Sequence, residues 1–501
     1  MGPYLLGIDN GLTVTKAVVF DTEGRQLGSG EVPTVLNHPY PRWVERDMDK
    51  HWEDCCQATR QALVTAGIAS QDIAAVGPAA YGDGIYLVDE DGWPVRPGIV
   101  SLDSRAYQIA ERWRASGVAD QALPLTGQQP MASAPATVLA WLKEFEPESL
   151  KLARRLFFGK DWIKFKLTGQ TVTDPTEAST GFTDVHTQQY SPAAFQLYGL
   201  EECQEKMAPV VGCMQVIGTV TKEAAELTGL TKGTPVVSGL HDVDASAIGS
   251  GCVSPGQLTL IAGTWSINEV ISDKPTVDAH WFCRNFVVPG QWMNMSVSPA
   301  SAANLEWFVK ELCPLEIQRA AERSVSPFAF VNEEVEAVLE GDSHIFFHPF
   351  LYGSPHGDEA SAAFFGLRGW HKRGHVLRAL FEGVVFNHKT HVDPFLAAFQ
   401  ISEARLTGGG ARSKLWSQMF ADALSVPVHI VDVTEAGALG TAICAGVGAG
   451  IYSSLEEAAQ QTVHVIRSHQ SNPENHARLS AAYETYLELV NAMEPFGPRL
   501  G

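Results

Sequence analysis

A carboxylate, two hydroxyls and an ammonium group lie within eight residues of each other at a turn near the start of the chain. Residues 4–8 and 17–20 are apolar and predict two short strands on either side of this turn. The polar residues of the turn and its flanks are Asp9, Asn10, Gly11, Thr13, Thr15 and Lys16. Asn-Gly predicts a tight hairpin, because glycine takes a positive φ without a Cβ clash. Such a set, with backbone N–H groups beside it, could bind a metal ion and phosphate oxygens. The alternative is a polar surface hairpin.

Three more glycine-containing turns follow apolar strands later in the chain. They lie at residues 239–242, 263–265 and 407–410. Ligands of α/β sheets bind just beyond the carboxyl ends of the strands, where glycine lets backbone N–H groups approach a phosphate closely. None of the turns has the P-loop spacing GxxxxGK[ST], and none is a GxGxxG between a strand and a helix. The turns therefore predict a phosphate site that is neither a P-loop nor a GxGxxG motif.

Two aspartates in these turns, Asp9 and Asp242, form a candidate pair for phosphoryl transfer. One carboxylate would hold Mg²⁺ while the other accepts the proton of a hydroxyl nucleophile. The alternative for each is an aspartate that caps a turn or a helix. Asp244 lies two residues from Asp242, so position alone leaves the choice of base open.

The composition predicts a globular protein of two or more domains. The chain has 501 residues, of which 45% are hydrophobic and 19% charged, and this is too long for one ordinary core. Its net charge of −21 disfavours binding to nucleic acid or to an anionic membrane. Eight cysteines without a CxxC motif, and no signal-type run at the start, predict a cytoplasmic protein. Residues 436–451 are too few to span a membrane and predict a closely packed buried helix.

Strands and helices alternate in both halves of the chain, which predicts an α/β fold. Apolar periodicity predicts helices at residues 51–66, 134–145, 375–392 and 415–424, and strands at residues 85–88, 257–262 and 345–347. Pro394 is predicted to end the third of these helices. Glycine and proline cluster at residues 245–257 and predict the domain boundary there.

Eight segments, in order, resemble the FGGY family of carbohydrate kinases, which belongs to the actin-like ATPase superfamily. They are Gly7 to Lys16, Trp43-Val44-Glu45, Asp103-Ser104-Arg105, Lys160-Asp161-Trp162 to Gly169, Gly239 to Asp242, Gly263-Thr264, Gly408 to Ser413, and Glu435 to Gly440. The resemblance implies an α/β fold of two actin-like (ribonuclease H-like) domains around a central cleft. Residues 1–250 would form the sugar-binding side and residues 251–501 the nucleotide-binding side.

The resemblance also implies an activity and its residues. The protein would be a kinase that uses ATP and Mg²⁺ to phosphorylate a primary hydroxyl of a small sugar, and a homodimer is left open. Asp242 would be the general base, and Asp9 and Asp242 would hold the metal. The nucleotide would contact Gly11, Thr13, Thr15, Lys16, Gly263, Thr264, Gly408, Gly409, Gly410 and Ser413. The sugar would contact Trp43, Tyr81, Asp83, Asp103, Arg105 and Asp242.

Several positions depart from the family pattern and bear on the sugar. Tyr81 and Asp83 stand where D-xylulose kinases have Gln and His, and a changed hydrogen-bond set discriminates strongly between sugars. Leu12 and Val14 stand where the family usually has Thr and Ser. Residues 43–48, 348–354 and 382–391 are similar to bacterial kinases acting on L-xylulose or 3-keto-L-gulonate. We therefore expect a ketopentose such as L-xylulose or D-xylulose. The open alternatives are another ketose, keto-sugar acid or polyol (3-keto-L-gulonate, erythritol, glycerol) and a non-catalytic actin-like sugar sensor.

Overall fold

Apolar runs and amphipathic segments of the sequence form alternating strands and helices in the computed structural model, which describes residues 2–341, 343–357 and 360–500. The strands are β1 Tyr4–Asn10, β2 Val14–Phe20, β3 Gln26–Pro33, β4 Glu45–Arg46, β5 Ile73–Ala80, β6 Tyr86–Val88, β7 Gly98–Ile99, β8 Arg155–Phe157, β9 Val216–Thr219, β10 Pro235–Val237, β11 Leu240–His241, β12 Gln257–Ala262, β13 Ser266–Ser272, β14 Phe282–Asn285, β15 Trp292–Ser298, β16 Phe346–His348, β17 Ala363–Phe365, β18 Glu403–Thr407, β19 Val428–Val431 and β20 Val465–His469.

The helices include those predicted from apolar periodicity, with ends that differ by a few residues. They are α1 Met48–Ala66, α2 Tyr107–Ala115, α3 Val118–Thr126, α4 Pro135–Phe145, α5 Pro147–Leu152, α6 Gly159–Thr168, α7 Pro175–Ala178, α8 Pro192–Tyr198, α9 Lys222–Thr228, α10 Asp242–Gly249, α11 Ala303–Leu312, α12 Pro314–Arg323, α13 Pro327–Glu336, α14 Arg373–Ala398, α15 Gly409–Arg412, α16 Lys414–Leu424, α17 Ala436–Gly448, α18 Leu455–Thr462, α19 Pro473–Met493 and α20 Gly497–Leu500. Among the described residues, no helix is long and apolar enough to cross a membrane.

The chain divides into two units, and each unit is built from more than one stretch of sequence. The first unit comprises the described residues up to Pro255 together with Ile271–Asn294 and Val433–His464. The second comprises Gly256–Val270, Met295–Asp432 and the described residues from Val465 onward. Two segments from the C-terminal half of the sequence therefore belong to the first unit. The division into domains at residues 250 and 251 stays a prediction.

The first unit contains a mixed sheet with the order β3-β2-β1-β5-β10-β9, and β11 pairs with β5. Strands β1, β2 and β3 are antiparallel neighbours, β1 and β5 are parallel, and β10 is parallel to β5 and antiparallel to β9. The parallel arrangement brings the carboxyl ends of β1, β5 and β11 to the same edge of the sheet. These ends precede the turns that carry the predicted site residues.

The second unit repeats this order in its own sheet. Six of its strands lie in the order β15-β13-β12-β18-β19-β20. Strands β12 and β13 are antiparallel, β12, β18 and β19 are parallel, and β20 is antiparallel to β19. In both units, a first hairpin is followed by two parallel strands and an antiparallel edge strand. The fold is thus mixed α/β with two sheet-containing domains, as predicted, although the sequence shows no residue-level repeat.

Helix α17 packs closely against the first sheet and against α10, because glycines line the helix and the surfaces that it touches. A Cβ atom on Gly7 of β1 would lie 2.0 Å from the Ala438 carbonyl oxygen, and one on Gly77 of β5 would lie 2.2 Å from that of Thr441. A Cβ on Gly440 would lie 1.8 Å from the Ala245 carbonyl oxygen of α10. Backbone-to-backbone packing of this kind explains the small-residue composition of the helix, and it confirms the predicted buried helix.

We expect Gly440→Ala to destabilise the first unit by about 2–3 kcal/mol, because the added methyl meets backbone rather than a movable side chain. Urea denaturation followed by circular dichroism measures the change. Gly212→Ala is the matched control in the same unit, since the nearest atom to its Cβ would be 4.0 Å away. Equal stability of the two variants would show that α17 is not packed as closely as described.

Two local predictions differ from the structure. Pro394 lies inside α14 and does not end the helix that was predicted at residues 375–392. Its neighbours Val392 and Phe395 are both buried, and their packing offsets the hydrogen bond that proline removes. In the first hairpin, Gly11 does not take a positive φ. Glycine is required there because a Cβ would lie 2.9 Å from the Val14 carbonyl oxygen.

Candidate active site

The register of the first hairpin separates its polar residues into two faces. Asp9 pairs with Lys16, and Asn10 pairs with Thr15. Because side chains alternate along a strand, Asp9 and Lys16 lie on one face and Asn10 and Thr15 on the other. Thr13 is exposed in the turn from Gly11 to Val14. The hairpin therefore presents a carboxylate and an ammonium group together, as the sequence predicts.

The Asp9 carboxylate lies against the N-terminal turn of α17. A Cβ atom on Gly437 would be 2.3 Å from Asp9 Oδ2, so glycine is needed for this approach. Burial, with a smaller contribution from Glu435, raises the pKa of Asp9 to about 6, although Lys16 acts in the opposite direction. Lys16 Nζ lies 2.8 Å from Glu435 Oε2. The hairpin and the start of α17 thus form one cluster of charged groups.

Thr15 is held in the interior of the unit. Its hydroxyl oxygen accepts hydrogen bonds from Asn10 Nδ2 at 2.8 Å and from Arg46 Nη2 at 3.1 Å. Arg46 Nη1 also donates to Asn10 Oδ1 at 2.6 Å. Thr15 and Arg46 are both about 1% exposed or less. The structure therefore does not place the Thr15 side chain beside Asp9 and Lys16, and its polar partners are within the protein.

Asp242 is the first residue of α10 and follows β11 directly. Its side chain is 32% exposed, and His241 Nε2 lies 3.3 Å from Asp242 Oδ1. Burial is the main cause that raises the pKa of Asp242 to about 8, and the charge of Asp9 adds to it. Asp244, by contrast, is buried, and burial raises its pKa well above the usual range. Of these two aspartates, Asp242 is the more accessible.

A buried cluster of charges supports the start of α10. Lys160 Nζ lies 2.5 Å from Asp174 Oδ2 and 3.1 Å from Glu177 Oε1, and all three side chains have no exposed surface. Asp174 Oδ1 accepts a hydrogen bond from the Thr176 hydroxyl at 2.5 Å. The Thr176 hydroxyl oxygen in turn accepts from the His241 backbone N–H at 2.9 Å. Lys160 is therefore linked through two groups, Asp174 and Thr176, to the residue before Asp242.

Trp43, Asp103 and Arg105 come together as a second cluster. Arg105 Nη2 lies 2.8 Å from Asp103 Oδ2, and its guanidinium carbon lies 3.9 Å from the centre of the Trp43 ring. Asp103 Oδ2 also accepts from the Val44 backbone N–H at 2.6 Å. Asp103 and Arg105 are both buried. Arg105 Nη2 also donates to Glu45 Oε1 at 2.8 Å, whereas Arg105 Nη1 has no hydrogen-bond partner among the described residues. This arrangement can position the segment around Trp43, while Trp43 keeps a partly exposed ring.

Tyr81 and Asp83 have different surroundings although they are two residues apart. The Tyr81 hydroxyl bonds to that of Tyr86, and Leu12 packs in the same small apolar cluster as Tyr81. Asp83 has a φ of 59°, in the left-handed region, and its carboxylate accepts from Arg284 Nη2 at 3.1 Å. Tyr81 is thus part of the interior, and Asp83 forms an ion pair beyond the end of β5.

The predicted nucleotide turns of the second unit lie at the ends of neighbouring parallel strands. Ile261 of β12 pairs with Thr407 of β18, so the turn at Gly263 and Thr264 lies beside the glycines at residues 408–410. Thr264 and Gly409 are exposed. Gly408 has a φ of 84°, and a Cβ there would lie 2.6 Å from the Ala262 carbonyl oxygen. The two turns form a backbone-rich edge of the sheet.

A cavity of about 340 Å³ in the second unit adjoins these glycines. Phe328, Phe381 and Trp416 line it with aromatic rings, and Gly409 and Ser413 lie in its wall. Ser413 donates to Asn332 Oδ1 at 2.5 Å and accepts from the Trp416 backbone N–H at 3.1 Å. An apolar cavity with a few polar groups is typical of a site for a ring-containing ligand.

The carboxylates of the first unit suit a hard cation that shares its ligands with a phosphate. Asp9 and Asp242 both have raised pKa values, and the charge of Asp9 contributes to the pKa of Asp242. Within the part of the chain that the structure describes, no group of three or more His, Cys, Asp or Glu side chains could hold a metal ion. Mg²⁺ in kinases is held by one or two carboxylates together with substrate phosphates, and this donor set fits that pattern.

The sequence alone did not identify Arg284, His241 or Gln128 as site residues. Arg284 is 4% exposed, and its Nε donates to Gln128 Oε1 at 3.0 Å. Its place in the apolar run Trp281 to Val288 is a usable signal, since an arginine in a buried strand needs a partner. His241 carries a weaker signal as the residue before Asp242.

Comparisons with known proteins show the family of the chain. The FGGY family of carbohydrate kinases matches through its N-terminal domain over residues 4–249 and through its C-terminal domain over residues 258–449. The L-xylulose/3-keto-L-gulonate kinase of Escherichia coli (strain K12) is 34% identical over 505 residues, covering 100% of this chain and 99% of that protein. The autoinducer-2 kinase of the same strain is 31% identical over 516 residues, covering 97% of this chain and 95% of that protein.

A solved structure extends the likeness to the whole fold. The crystal structure of xylulose kinase from Rhodospirillum rubrum has a TM-score of 0.88 and 26% sequence identity to this chain, with 99% of both chains covered. Both domain matches, the full-length relatives and the two sheets lead to the same conclusion. The chain belongs to the FGGY family of carbohydrate kinases and is an ATP-dependent carbohydrate kinase.

Proposed function

We propose that this kinase transfers the γ-phosphoryl group of ATP to a primary hydroxyl of a ketopentose, such as L-xylulose or D-xylulose. The observation that carries the proposal is the partly exposed Asp242 carboxylate at the start of α10, directly after β11. Burial and the charge of Asp9 raise its pKa to about 8. A general base works best when its pKa is close to the operating pH. The full-length likeness to a kinase of L-xylulose and 3-keto-L-gulonate supports a sugar of this class.

Asp242 is the proposed general base. It accepts the proton of the primary hydroxyl as the oxygen attacks the γ-phosphorus in line with the leaving ADP oxygen. His241 contacts Asp242 and Asp244, and burial lowers the pKa of His241 well below its usual value. A neutral imidazole at that position leaves the negative charge of Asp242 available for the proton. The hydrogen bond from the His241 backbone to Thr176 keeps the start of α10 in place.

Asp9 and Asp242 are the residues that would hold Mg²⁺. The bound ion would neutralise charge on the phosphates during transfer. We place four residues of the hairpin on the phosphate side of the first unit: Gly11, Thr13, Thr15 and Lys16. Because the Thr15 side chain is buried, Thr15 would act by supporting the backbone of the hairpin. Lys16 would exchange part of its interaction with Glu435 for a phosphate oxygen.

ATP is proposed to use the two glycine turns of the second unit. Gly263 and Thr264 would contact the phosphates, and the glycines at residues 408–410 the α-phosphate and ribose. The adjoining cavity, with its aromatic rings and Ser413, has the composition expected of an adenine site. In this proposal, residues 1–250 bind the sugar and residues 251–501 bind the nucleotide, and the eight buried cysteines suit a reducing cytoplasm.

We expect Asp9→Asn to raise the Mg²⁺ concentration for half-maximal activity by about tenfold or more, because one of two anionic ligands is lost. Titrating Mg²⁺ at saturating ATP and sugar, with ADP formation as the readout, measures the shift. Asp21→Asn is the control, since Asp21 is an aspartate of the same unit that pairs with Arg25 at 2.8 Å. An unchanged Mg²⁺ requirement in Asp9→Asn would remove Asp9 from the metal site.

A coupled assay of ADP formation tests the proposed function on a panel of sugars. The panel contains L-xylulose, D-xylulose, 3-keto-L-gulonate, autoinducer-2, erythritol and glycerol. We expect a ketopentose to have the highest kcat/KM. The proposal would be wrong if a polyol or autoinducer-2 had the highest value, and absence of ADP formation with every compound would favour a sugar sensor.

A further inference from the structure

A buried hydrogen-bond network in the second unit begins at the turn of residues 263–265. Ser266, the first residue of β13, pairs with Ala262 of β12 and closes this turn. Asn268 follows two residues later, so its side chain lies on the same face of β13 as that of Ser266. Asn268 Nδ2 donates to the Ser266 hydroxyl oxygen at 3.1 Å and to the Ser296 carbonyl oxygen at 3.2 Å. The Asn268 side chain therefore holds the end of the turn against β15.

His388 of α14 is the next member of the network. Its Nδ1 lies 2.7 Å from Asn268 Oδ1 and 3.1 Å from the Ser266 hydroxyl oxygen, and its Nε2 lies 3.1 Å from the Ser301 hydroxyl oxygen. Burial lowers the pKa of His388 to about 3, so the imidazole is neutral and carries one N–H group. An amide oxygen can only accept, so Nδ1 carries the proton and donates to Asn268. Nε2 then accepts the hydrogen bond of the Ser301 hydroxyl.

The other end of the network lies at the cavity that was described for this unit. Ser301 precedes α11 by two residues, and its carbonyl oxygen accepts from the Asn304 backbone N–H at 3.0 Å. Ala302 and Glu306 line the cavity. The imidazole of the network therefore connects the turn of residues 263–265 with the N-terminal end of α11.

The surroundings of the network fix the orientation of the imidazole ring. Phe420 of α16 packs edge-on against the His388 ring, with 5.1 Å between the ring centroids. The four polar side chains of the network have no exposed surface: Ser266, Asn268, Ser301 and His388. A buried polar group is costly to leave unpaired. Loss of the imidazole would therefore disturb both the turn and the end of α11.

His391 lies one helical turn later on α14 and makes different contacts. Its Nδ1 lies 2.7 Å from the Ser296 hydroxyl oxygen, and its Nε2 lies 2.9 Å from that of Ser298. Both serines belong to β15. The two histidines are thus both buried and bonded to serines, but His388 contacts the hairpin of β12 and β13, whereas His391 contacts β15.

We propose that His388 is a positioning residue for phosphoryl transfer, which acts through Asn268 and Ser266 to hold the turn of residues 263–265 at a fixed place beside α11. The inference rests on the proposed nucleotide site, in which this turn contacts the phosphates of ATP and the cavity binds adenine. His388 itself does not touch the nucleotide. A fixed distance between the two elements lets one ATP molecule occupy both at once, which is the contribution of a positioning residue.

The test measures the binding of ATP and of AMP to the full-length protein in the presence of Mg²⁺, together with KM for ATP and for L-xylulose. AMP lacks the β- and γ-phosphates that the turn is proposed to contact. We expect His388→Leu to weaken ATP binding and to raise KM for ATP by about tenfold or more, because Asn268 and Ser301 each lose a partner. AMP binding and KM for L-xylulose should change by less than about twofold.

His388→Asn and His388→Gln separate the two hydrogen bonds of the imidazole. Asparagine can place an amide N–H where Nδ1 lies and keep the bond to Asn268, whereas glutamine can place an oxygen where Nε2 lies and keep the bond to Ser301. We expect His388→Asn to bind ATP within about threefold of the wild type, and His388→Gln to resemble His388→Leu. His391→Leu is the matched control, since it removes two buried hydrogen bonds from the same helix and should leave ATP binding within about twofold of the wild type.

The inference predicts a loss that is specific to His388 and to the outer phosphates. Equal weakening of ATP binding in His388→Leu and His391→Leu, or equal weakening of ATP and AMP binding in His388→Leu, would overturn it. If His388→Leu does not fold, equal ATP affinity of His388→Asn and His388→Gln would overturn it. A wild type that binds ATP and AMP equally well would instead refute the proposed phosphate contacts of the turn, and the inference with them.

Discussion

Asp242→Asn is expected to lower kcat for sugar phosphorylation by about 10²- to 10⁴-fold, the usual contribution of a general base, while ATP binding is kept. Asparagine has nearly the same shape as aspartate and cannot accept the hydroxyl proton. Coupled ADP detection measures kcat, and calorimetric titration with ATP measures binding. The variant should therefore stay folded but lose its activity.

The pH dependence of Tm should distinguish Asp242→Asn from the wild type. The pKa of Asp242 is raised from 3.8 to about 8, so ionisation of the carboxylate is less favourable in the folded state than in the unfolded one. The resulting destabilisation of the wild type is absent below a pH near 3.8, grows with pH, and is complete above about 8. Without Mg²⁺ and nucleotide, Asp242→Asn should therefore have a higher Tm than the wild type at neutral pH and a similar Tm near pH 3.8.

Asp244→Asn is the matched control for the base. Asp244 is buried, burial raises its pKa well above its usual range, and asparagine has nearly the same shape as this carboxyl. We expect Asp244→Asn to keep most of the wild-type turnover. If Asp244→Asn lost activity and Asp242→Asn kept it, the assignment of the base would have to be exchanged.

Lys160→Met is expected to cost about 3–5 kcal/mol of folding free energy, because it leaves buried carboxyl groups without their cation. Asp174 and Glu177 both lie within 3.1 Å of Lys160 Nζ and have no exposed surface. Urea denaturation measures the loss. Turnover should fall too, because Asp174 bonds to Thr176, which in turn accepts the backbone N–H of His241 next to the base.

Lys151→Met is the control for Lys160→Met, because it removes an exposed ion pair instead of a buried one. Lys151 pairs with Glu148 at 2.5 Å, but both side chains are largely exposed, and such pairs contribute little to stability. We therefore expect a near-wild-type denaturation curve. Similar curves for Lys160→Met and Lys151→Met would mean that the buried cluster does not stabilise the fold.

Local sequence patterns predicted the elements well where the signal was short-range. The strand predicted at residues 257–262 is β12 with the same ends, and the helix predicted at residues 415–424 is α16 with one more residue at its start. Apolar periodicity and glycine turns are local properties, so a single sequence contains them. Asp9 and Asp242 both lie at the ends of strands parallel to β5 in the first unit, and the charge of Asp9 acts on Asp242. Their shared role in a site stays a prediction.

The face on which Thr15 lies could not be predicted in the same way. It depends on the register of the hairpin. Asn10 pairs with Thr15 and the Gly11 N–H donates to the Val14 carbonyl oxygen, so Leu12 and Thr13 form the centre of the turn instead of Asn10 and Gly11. A shift of one residue moves a side chain to the opposite face of the sheet. The pairing of Asp9 with Lys16, and the burial of Thr15 by Arg46, follow from this register.

Contacts between residues that are far apart in the sequence could not be predicted either. Arg284 lies 201 residues from Asp83, and no local pattern connects them. Glu435 and Gly437 lie at the start of α17, more than 400 residues from the hairpin that they contact, with Lys16 and Glu435 separated by 419 positions. Such contacts arise when segments of the C-terminal half of the sequence fold into the first unit, which only the three-dimensional structure reveals.

The central claim is that Asp242 takes the proton of a sugar hydroxyl during transfer of phosphate from ATP. Phosphorus NMR of reactions containing L-xylulose, ATP and Mg²⁺ tests it directly, with wild type and Asp242→Asn at equal concentration. We predict one sugar monophosphate for each ADP in the wild type, and sugar phosphate formation that is slower by about 100-fold or more in the variant. ADP without sugar phosphate in the wild type, or equal sugar phosphate in both reactions, would contradict the account.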